Sequence, residues 1–298
     1  MMHRAGGNLD INLVDINQRR GEMSRVLLAI LVCGLLVIPV SVFLMQEPRT
    51  AMITMTMDDG SDTQYDAAFM ILREHNIPAT AFIVTGWFGM KPGRLSLEEM
   101  HEMQDAGWEI GSHSVSHMKL TQMPFKEAFN ETYDSKMWLE ARGFRVSSFA
   151  YPMGNFNSTI KQLAGSIYDV TRATHEGYVS YSHVPTDRCV AGMDMPADHN
   201  DTFRYIDRAI AEKNWIIFVS HAVHSDGRVV DNLQDLHTIA DYIEQKVKEG
   251  KLKAVTLIDG YNEIAENQPT LHGSEEMQVA PRMVGTVEYV ARSCWSRL

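Results

Sequence analysis

The chain predicts an α/β fold built on parallel strands, and three observations carry that reading. Short apolar runs, among them Met52–Met57, Trp108–Gly111 and Trp215–Phe218, alternate with longer stretches of helical pattern. The connections between them are short, as expected when each strand is followed by a crossover helix. A length of 298 residues with 45% apolar content is enough for one large domain with a full core.

Taken in order, Met52–Met57 reads as the first strand and Thr63–His75 as a helix with Ala68, Phe69, Ile71 and Leu72 on its apolar side. Ala79–Val84 is the next strand. Ser96-Leu97-Glu98-Glu99 has the form of a capping box and opens a helix ending near Gly107. Trp108–Ser112 is a strand, and Pro124 suits the first turn of a helix that Gly143 stops. Val146–Tyr151 and Val170–Thr174 are strands around a helix over Asn157–Ile167, and Cys189–Met193 is a further strand. Asp201–Lys213 and Asn232–Lys248 are helices flanking the strongly apolar strand Trp215–Ser220, and Ala254–Ile258 closes the set. Beyond Asn262 the periodicity fades into a stretch rich in Pro, Glu and Gly.

The N-terminal part differs in kind. Residues 26–45 carry no charge and are long enough to cross a bilayer as a helix. Arg19, Arg20 and Arg25 precede them, whereas Arg49 is the nearest basic residue after them, so the positive-inside rule puts the N-terminus in the cytoplasm and the rest outside. Ser41–Gln46 offers no small-residue cleavage site. The expected organisation is a cytoplasmic tail (1–25), an uncleaved transmembrane signal anchor (26–45), a folded domain (51–262) and a C-terminal extension (263–298). A net charge of −11 speaks against nucleic acid as a partner. Cys33, Cys189 and Cys294 form no C-x-x-C pair, which speaks against a zinc finger or dithiol redox motif.

Four short segments stand just after predicted strands: Asp58-Asp59-Gly60, His113-Ser114-Val115-Ser116-His117, Tyr151-Pro152-Met153-Gly154 and Val219-Ser220-His221. In a parallel α/β sheet the C-terminal strand ends share one face, where reactive groups gather. Two carboxylates, two histidines four apart and a third distant histidine are the parts of a metal-dependent hydrolase. His113 and His117 would project from one side of a helical turn. With one carboxylate they give three protein ligands and leave positions open, the arrangement of a catalytic rather than a structural site. Mixed nitrogen and oxygen ligands suit Zn²⁺, with Co²⁺ or Ni²⁺ as alternatives. On an extended strand end adjacent aspartates point in different directions, so the residues alone do not divide the roles of Asp58 and Asp59. Trp87 is a candidate stacking residue, while Trp108 fits core packing better.

From about Ala51 to Gly260 the chain resembles the NodB-type polysaccharide deacetylases, carbohydrate esterase family 4. The resemblance rests on Thr56-Met57-Asp58-Asp59-Gly60, the His113–His117 segment, the Tyr151–Gly154 loop and Val219-Ser220-His221. It implies a distorted (β/α) barrel and a hydrolase that removes acetyl groups from N-acetylated or O-acetylated sugars of an envelope polysaccharide. It further implies Asp59, His113 and His117 as metal ligands, Asp58 as the base that takes a proton from the metal-bound water, and His221 as the acid that protonates the departing nitrogen. A backbone N–H in the Tyr151–Gly154 loop, at Met153, would complete the oxyanion site.

Two departures from the family pattern accompany this resemblance. The arginine usual two residues before the loop proline is Ala150 here, so Asp58 must be oriented otherwise, with Arg172 and Arg188 as candidates. The acidic partner of the acid histidine is not recognisable, although Asp194 and Asp198 lie in the corresponding stretch. Two alternatives to the deacetylase therefore stand: a cyclic amide or imide hydrolase of the same fold, and a glycan-binding pseudoenzyme.

Overall fold

A computed structural model describes residues 49–182, 185–196, 198–222 and 233–266. The chain divides into two compact units, Met1–Thr50 and Ala51–Leu298. The expected span 26–45 and most of the C-terminal extension lie outside the described residues, among which no helix is long and apolar enough to cross a membrane.

Among the described residues the second unit has nine strands: β1 (Ala51–Met57), β2 (Ala79–Ile83), β3 (Glu109–Ser112), β4 (Ser148–Ala150), β5 (Val170–Thr174), β6 (Val179–Ser180), β7 (Cys189–Asp194), β8 (Asn214–Ser220) and β9 (Leu252–Ala254). Parallel pairing runs β1–β2–β3–β4–β5–β7–β8, and β8 pairs back onto β1 from Met52–Trp215 to Met57–Ser220. Seven parallel strands thus close a barrel, one fewer than the eight-fold form. β9 adds to β1 outside the ring, and the short β6 lies antiparallel on β8.

Helices cover the ring: α1 (a π-helical stretch Gln64–Phe69 running into Met70–Glu74), α2 (Leu97–Asp105), α3 (Phe125–Glu140), α4 (Ser158–Ile167), α5 (His199–Glu212), α6 (Leu233–Lys248) and α7 (Leu257–Glu266). The capping box of α2 forms in both directions, Glu99 N–H to Ser96 Oγ and Ser96 N–H to the Glu99 carboxylate. Asn157 caps α4 through the Ile160 N–H. The expected strand Ala254–Ile258 is corrected. β9 ends at Ala254 and α7 begins at Leu257, because Thr256 exchanges hydrogen bonds with Asp259 as an N-cap with its third helical residue. That local signal outweighs the apolar run. Regular structure therefore continues to Glu266, beyond Asn262.

Strand parity decides what faces the barrel interior. Along β1, Met52, Thr54 and Thr56 point inward, Thr54 accepting from the Trp215 indole, whereas Ile53, Met55 and Met57 pack against the helices. The same alternation puts Phe82, Val170, Val190, Trp215 and Ile217 inside, and Ala81, Ile110, Phe149 and Phe218 outside. One apolar cluster therefore fills the ring and a larger one lies between ring and helices.

Candidate metal centre and active site

Asp58 follows the parity of β1. Two residues past Thr56 it still faces inward, and its N–H extends the β1–β8 ladder to the Ser220 carbonyl at 2.8 Å. Asp59 would point to the opposite face on an extended strand. It adopts φ 78° instead, a left-handed conformation that Asp tolerates better than most residues, and this turns its carboxylate toward the same cluster. Both carboxylates then approach His113 Nε2, Asp58 at 3.6 Å and Asp59 at 3.8 Å, and Asp59 lies 3.5 Å from His117 Nε2.

The histidine pair does not sit on a helical turn, contrary to the spacing-based expectation. His113–His117 is a loop after β3, with Ser114 at φ 66° and His117 at φ 61°. The loop folds back because Ser114 Oγ accepts the His117 N–H at 3.0 Å. Glu131 on α3 fixes it from behind, accepting the Val115 and Ser116 N–H groups at 3.0 and 2.7 Å and the Ser116 hydroxyl at 2.7 Å. From the other side the Gly86 N–H donates to the Val115 carbonyl at 2.8 Å. A Cβ at Gly86 would lie 2.5 Å from that oxygen, so only glycine permits the approach. His113 Nδ1 lies 2.8 Å from the Ala150 carbonyl, and a carbonyl can only accept. The proton is therefore on Nδ1 and the Nε2 lone pair faces the cluster. Burial, only partly countered by Asp58, holds His113 below the ordinary histidine range, in the neutral form a metal ligand requires.

These residues fit a divalent cation. One ligand atom each from Asp59, His113 and His117 lie within 4.8 Å of one another. The separations of 3.5 and 3.8 Å are too long for hydrogen bonds, but suit neighbours that each contact one ion at about 2.0–2.2 Å. Asp59 Oδ1 is buried and finds no hydrogen-bond partner among the described residues, which leaves a carboxylate oxygen to be satisfied. Two carboxylates converging on neutral His113 also favour a cation between them.

The arginine absent at position 150 is replaced from another strand. Arg172, fully buried inside β5, donates through Nη2 to Asp58 Oδ1 and through Nη1 to Thr174 Oγ1 at 2.9 Å. A Cβ at Gly192 on β7 would lie 2.5 Å from Arg172 Cδ, so glycine there makes room for the side chain. Burial drives the Asp58 carboxyl upward, but Arg172, with His113 and His221, more than offsets it and holds Asp58 below the usual carboxylate range. Arg188 does not contribute. Its guanidinium faces the Gly165 carbonyl on the surface.

Of the remaining sequence candidates, His221 lies exposed at the end of β8, close enough for its charge to act on Asp58. Pro152 is buried, Met153 is exposed with φ 57°, and Gly154 has φ 62°. The Tyr151 side chain is turned away into the core, its hydroxyl on Thr171 Oγ1 at 3.1 Å. Asp198 caps α5 by accepting the Asn200 N–H, and Asp194 is exposed at the end of β7. Trp108 is core, edge-on to Phe69. Trp87 stands beside His117, with Lys91 and Arg94 over its ring. Sequence reasoning missed Glu131, Gln64 and Arg94, whose Nη1 donates to the Asp59 carbonyl at 3.1 Å. None of the three carries a short-range signal.

Residues 46–167 match the family model described as polysaccharide deacetylase. This stretch is similar to polysaccharide deacetylase family domains. It contains Asp58, Asp59, His113, His117 and the Tyr151–Gly154 loop. Among curated relatives, YxkH of Bacillus subtilis (strain 168), provisionally named a polysaccharide deacetylase, is 28% identical over 137 residues, 45% of this chain and 49% of the relative. The poly-beta-1,6-N-acetyl-D-glucosamine N-deacetylase of Staphylococcus aureus (strain MRSA252) is 31% identical over 120 residues, 35% of this chain and 41% of the relative. The chain thus spans about half or less of the length of the curated relatives it matches. Among solved structures, the Xyl-CE4 domain of a multidomain xylanase from the hindgut metagenome of Trinervitermes trinervoides aligns over 72% of this chain and 92% of that one. Its TM-score is 0.50 at 20% identity, a likeness of fold.

Proposed function

We propose that the protein is a metal-dependent deacetylase that hydrolyses the acetamido group of N-acetylglucosamine units in an envelope polysaccharide. One observation carries the reading: a buried carboxylate kept ionised by Arg172, Asp58, stands beside a three-ligand cluster with an unsatisfied carboxylate oxygen. Asp59, His113 and His117 would hold the cation, zinc in first place and cobalt or nickel as alternatives. When bound, such a cation acidifies water and polarises an acyl oxygen.

Asp58 receives the proton of the attacking water, because its salt bridge keeps it ionised and acceptor-only at neutral pH. The Met153 N–H stabilises charge on the acetyl oxygen as the carbon becomes tetrahedral. His221, exposed at the end of β8, donates a proton to the departing amine. Hydrolysis is then complete: the C–N bond is broken, water has supplied the acyl oxygen, and acetate and the free amino sugar leave. A sugar ring stacking on Trp87 beside His117 would have to displace the Lys91 ammonium, which lies 3.4 Å from the ring centroid. Residues 26–45 anchor the chain in the membrane, and the deacetylase domain faces the envelope outside the cytoplasm.

The test is acetate release by the Zn²⁺- or Co²⁺-loaded protein from N-acetylglucosamine oligomers, peptidoglycan and acetylated xylan. Release from the first two that disappears on chelation supports the reading. Silence on all three with the metal bound would overturn it in favour of a binding protein.

A further inference from the structure

A buried amide connects the two halves of the proposed acid–base pair. Gln64, wholly buried, sits at the start of the π-helical stretch that opens α1. Its Nε2 lies 2.5 Å from the Asp58 carbonyl and 2.7 Å from the His221 carbonyl. Two backbone oxygens at these distances admit only a donor between them, so the amide nitrogen occupies that position and both its hydrogens are used. The two carbonyls belong to the loops after β1 and β8, far apart in sequence. β1 and β8 are hydrogen-bonded up to Met57–Ser220, and the Asp58 N–H adds one more rung to Ser220. Past that rung, the Gln64 amide cross-links the two chain ends. The π-helical stretch has a functional counterpart here. Its wider turn lets Gln64 reach inward while Ala67, Ala68 and Phe69 still bury against the barrel.

We propose that Gln64 is the positioning residue that fixes the main chain of His221 against that of Asp58, and so sets the placement of the acid relative to the base. The proposal rests on the deacetylase roles of Asp58 and His221. It has a consequence that simple space-filling lacks. An acid is needed when the leaving group is an amine, and is not needed when the leaving group is a stabilised phenolate. Loss of the cross-link must therefore penalise amide substrates selectively.

The experiment compares the full chain with Gln64→Leu, which keeps the volume but has no donor, and with Gln64→Glu, which keeps the shape but sets a carboxylate against two carbonyls. Each is loaded with Zn²⁺ and assayed on an N-acetylglucosamine pentamer and on 4-nitrophenyl acetate, and hydrogen exchange is measured at the His221 and Ala222 amides. Expected is a fall in kcat of at least about tenfold on the pentamer, a part of the ~10²–10⁴ that general acid catalysis contributes. The change on the ester should be under about threefold, since no acid step is left to lose there. Exchange at His221 and Ala222 should rise in both variants. Equal losses on both substrates, or no loss on either, overturn the proposal, with Gln64→Glu deciding if Gln64→Leu does not fold. If the unaltered protein turns over neither substrate, the deacetylase reading fails instead. Gln64 is then judged on exchange alone, where unchanged protection in both variants rejects it.

Discussion

At the upper end of the barrel Asp58 is buried against the guanidinium of Arg172, whereas at the lower end Glu109 is buried against the Thr80 hydroxyl and the N–H of Ile258 in the first turn of α7. Both side chains face inward. Glu109 even shares its strand face with His113, four residues on. For Glu109, burial outweighs its hydrogen bonds and raises the carboxyl above the usual range, while Asp58 is held below it. Desolvation acts on both. The difference is a cation within reach, and its consequence is functional. An ionised carboxylate can accept a proton, while Glu109 fastens a helix terminus to the floor of the barrel by accepting the Ile258 N–H.

The largest effect expected from this contrast is on turnover. Asp58→Asn keeps the shape but removes the acceptor, so acetate release should fall by about 10²–10⁴-fold. Zn²⁺ affinity, measured by calorimetry, should stay close to that of the unaltered protein because Asp58 is not among the three proposed ligands. A collapse of affinity would make Asp58 a ligand and erase the division of roles between the two aspartates.

Arg172→Met asks how much of the contrast depends on the cation itself. Removing one partner of a buried pair leaves an uncompensated charge and typically costs about 3–5 kcal/mol. Urea denaturation should show a loss of that order, and Asp58→Asn added to Arg172→Met should restore a good part of it. An Asp58→Asn effect of the same size with and without Arg172 would mean that the pair is not coupled.

Glu131→Ala acts on the upper end from outside the cluster. Without its acceptor the His113–His117 loop loses three hydrogen bonds, and Zn²⁺ affinity should weaken by about 10–100-fold, as for other residues that orient metal ligands. An unchanged affinity would show that Ser114, Gly86 and the Ala150 carbonyl hold the loop without it.

The smallest expected effect is at the lower end. Glu109 binds its proton more tightly when folded, so the stability it contributes is full below the unfolded carboxylate range and is lost as pH rises through the folded value. Glu109→Gln imitates the protonated form. Its melting temperature should exceed that of the unaltered protein by a few degrees at pH 8 and match it near pH 4.5. The opposite order at pH 8 would mean that Glu109 is ionised in the folded protein and stabilised as the anion.

Much of this arrangement was legible in the residues alone, because strand parity and local punctuation act over a few positions. The strand Met52–Met57 was read correctly, but which of its side chains face the barrel, and so the inward direction of Asp58, came from the strand pairing. The Ser96–Glu99 box and Asn157 mark helix starts that the structure reproduces. The positions of Asp59, His113 and His117 at strand ends follow from the motifs. Three features were not legible, for separate reasons. The helical-turn geometry of the histidine pair was wrong because the i, i+4 spacing does not distinguish a helix from a loop with two left-handed residues. The strand at Ala254–Ile258 was lost to the Thr256 cap. Tyr151 was grouped with the substrate loop, although its side chain turns into the core.

What the sequence determined by itself is the set of reactive side chains and the face of the sheet on which they stand, since both depend on short periodicities. Only the tertiary structure decided which groups govern them. Arg172 reaches Asp58 across the closed barrel, through space that Gly192 leaves open. Glu131 braces the histidine loop from a neighbouring helix, and Gln64 reaches the His221 carbonyl from 157 positions away. Each of these contacts depends on ring closure between β1 and β8 or on helix packing against it. Such contacts are set by three-dimensional proximity, which no local pattern of residues encodes.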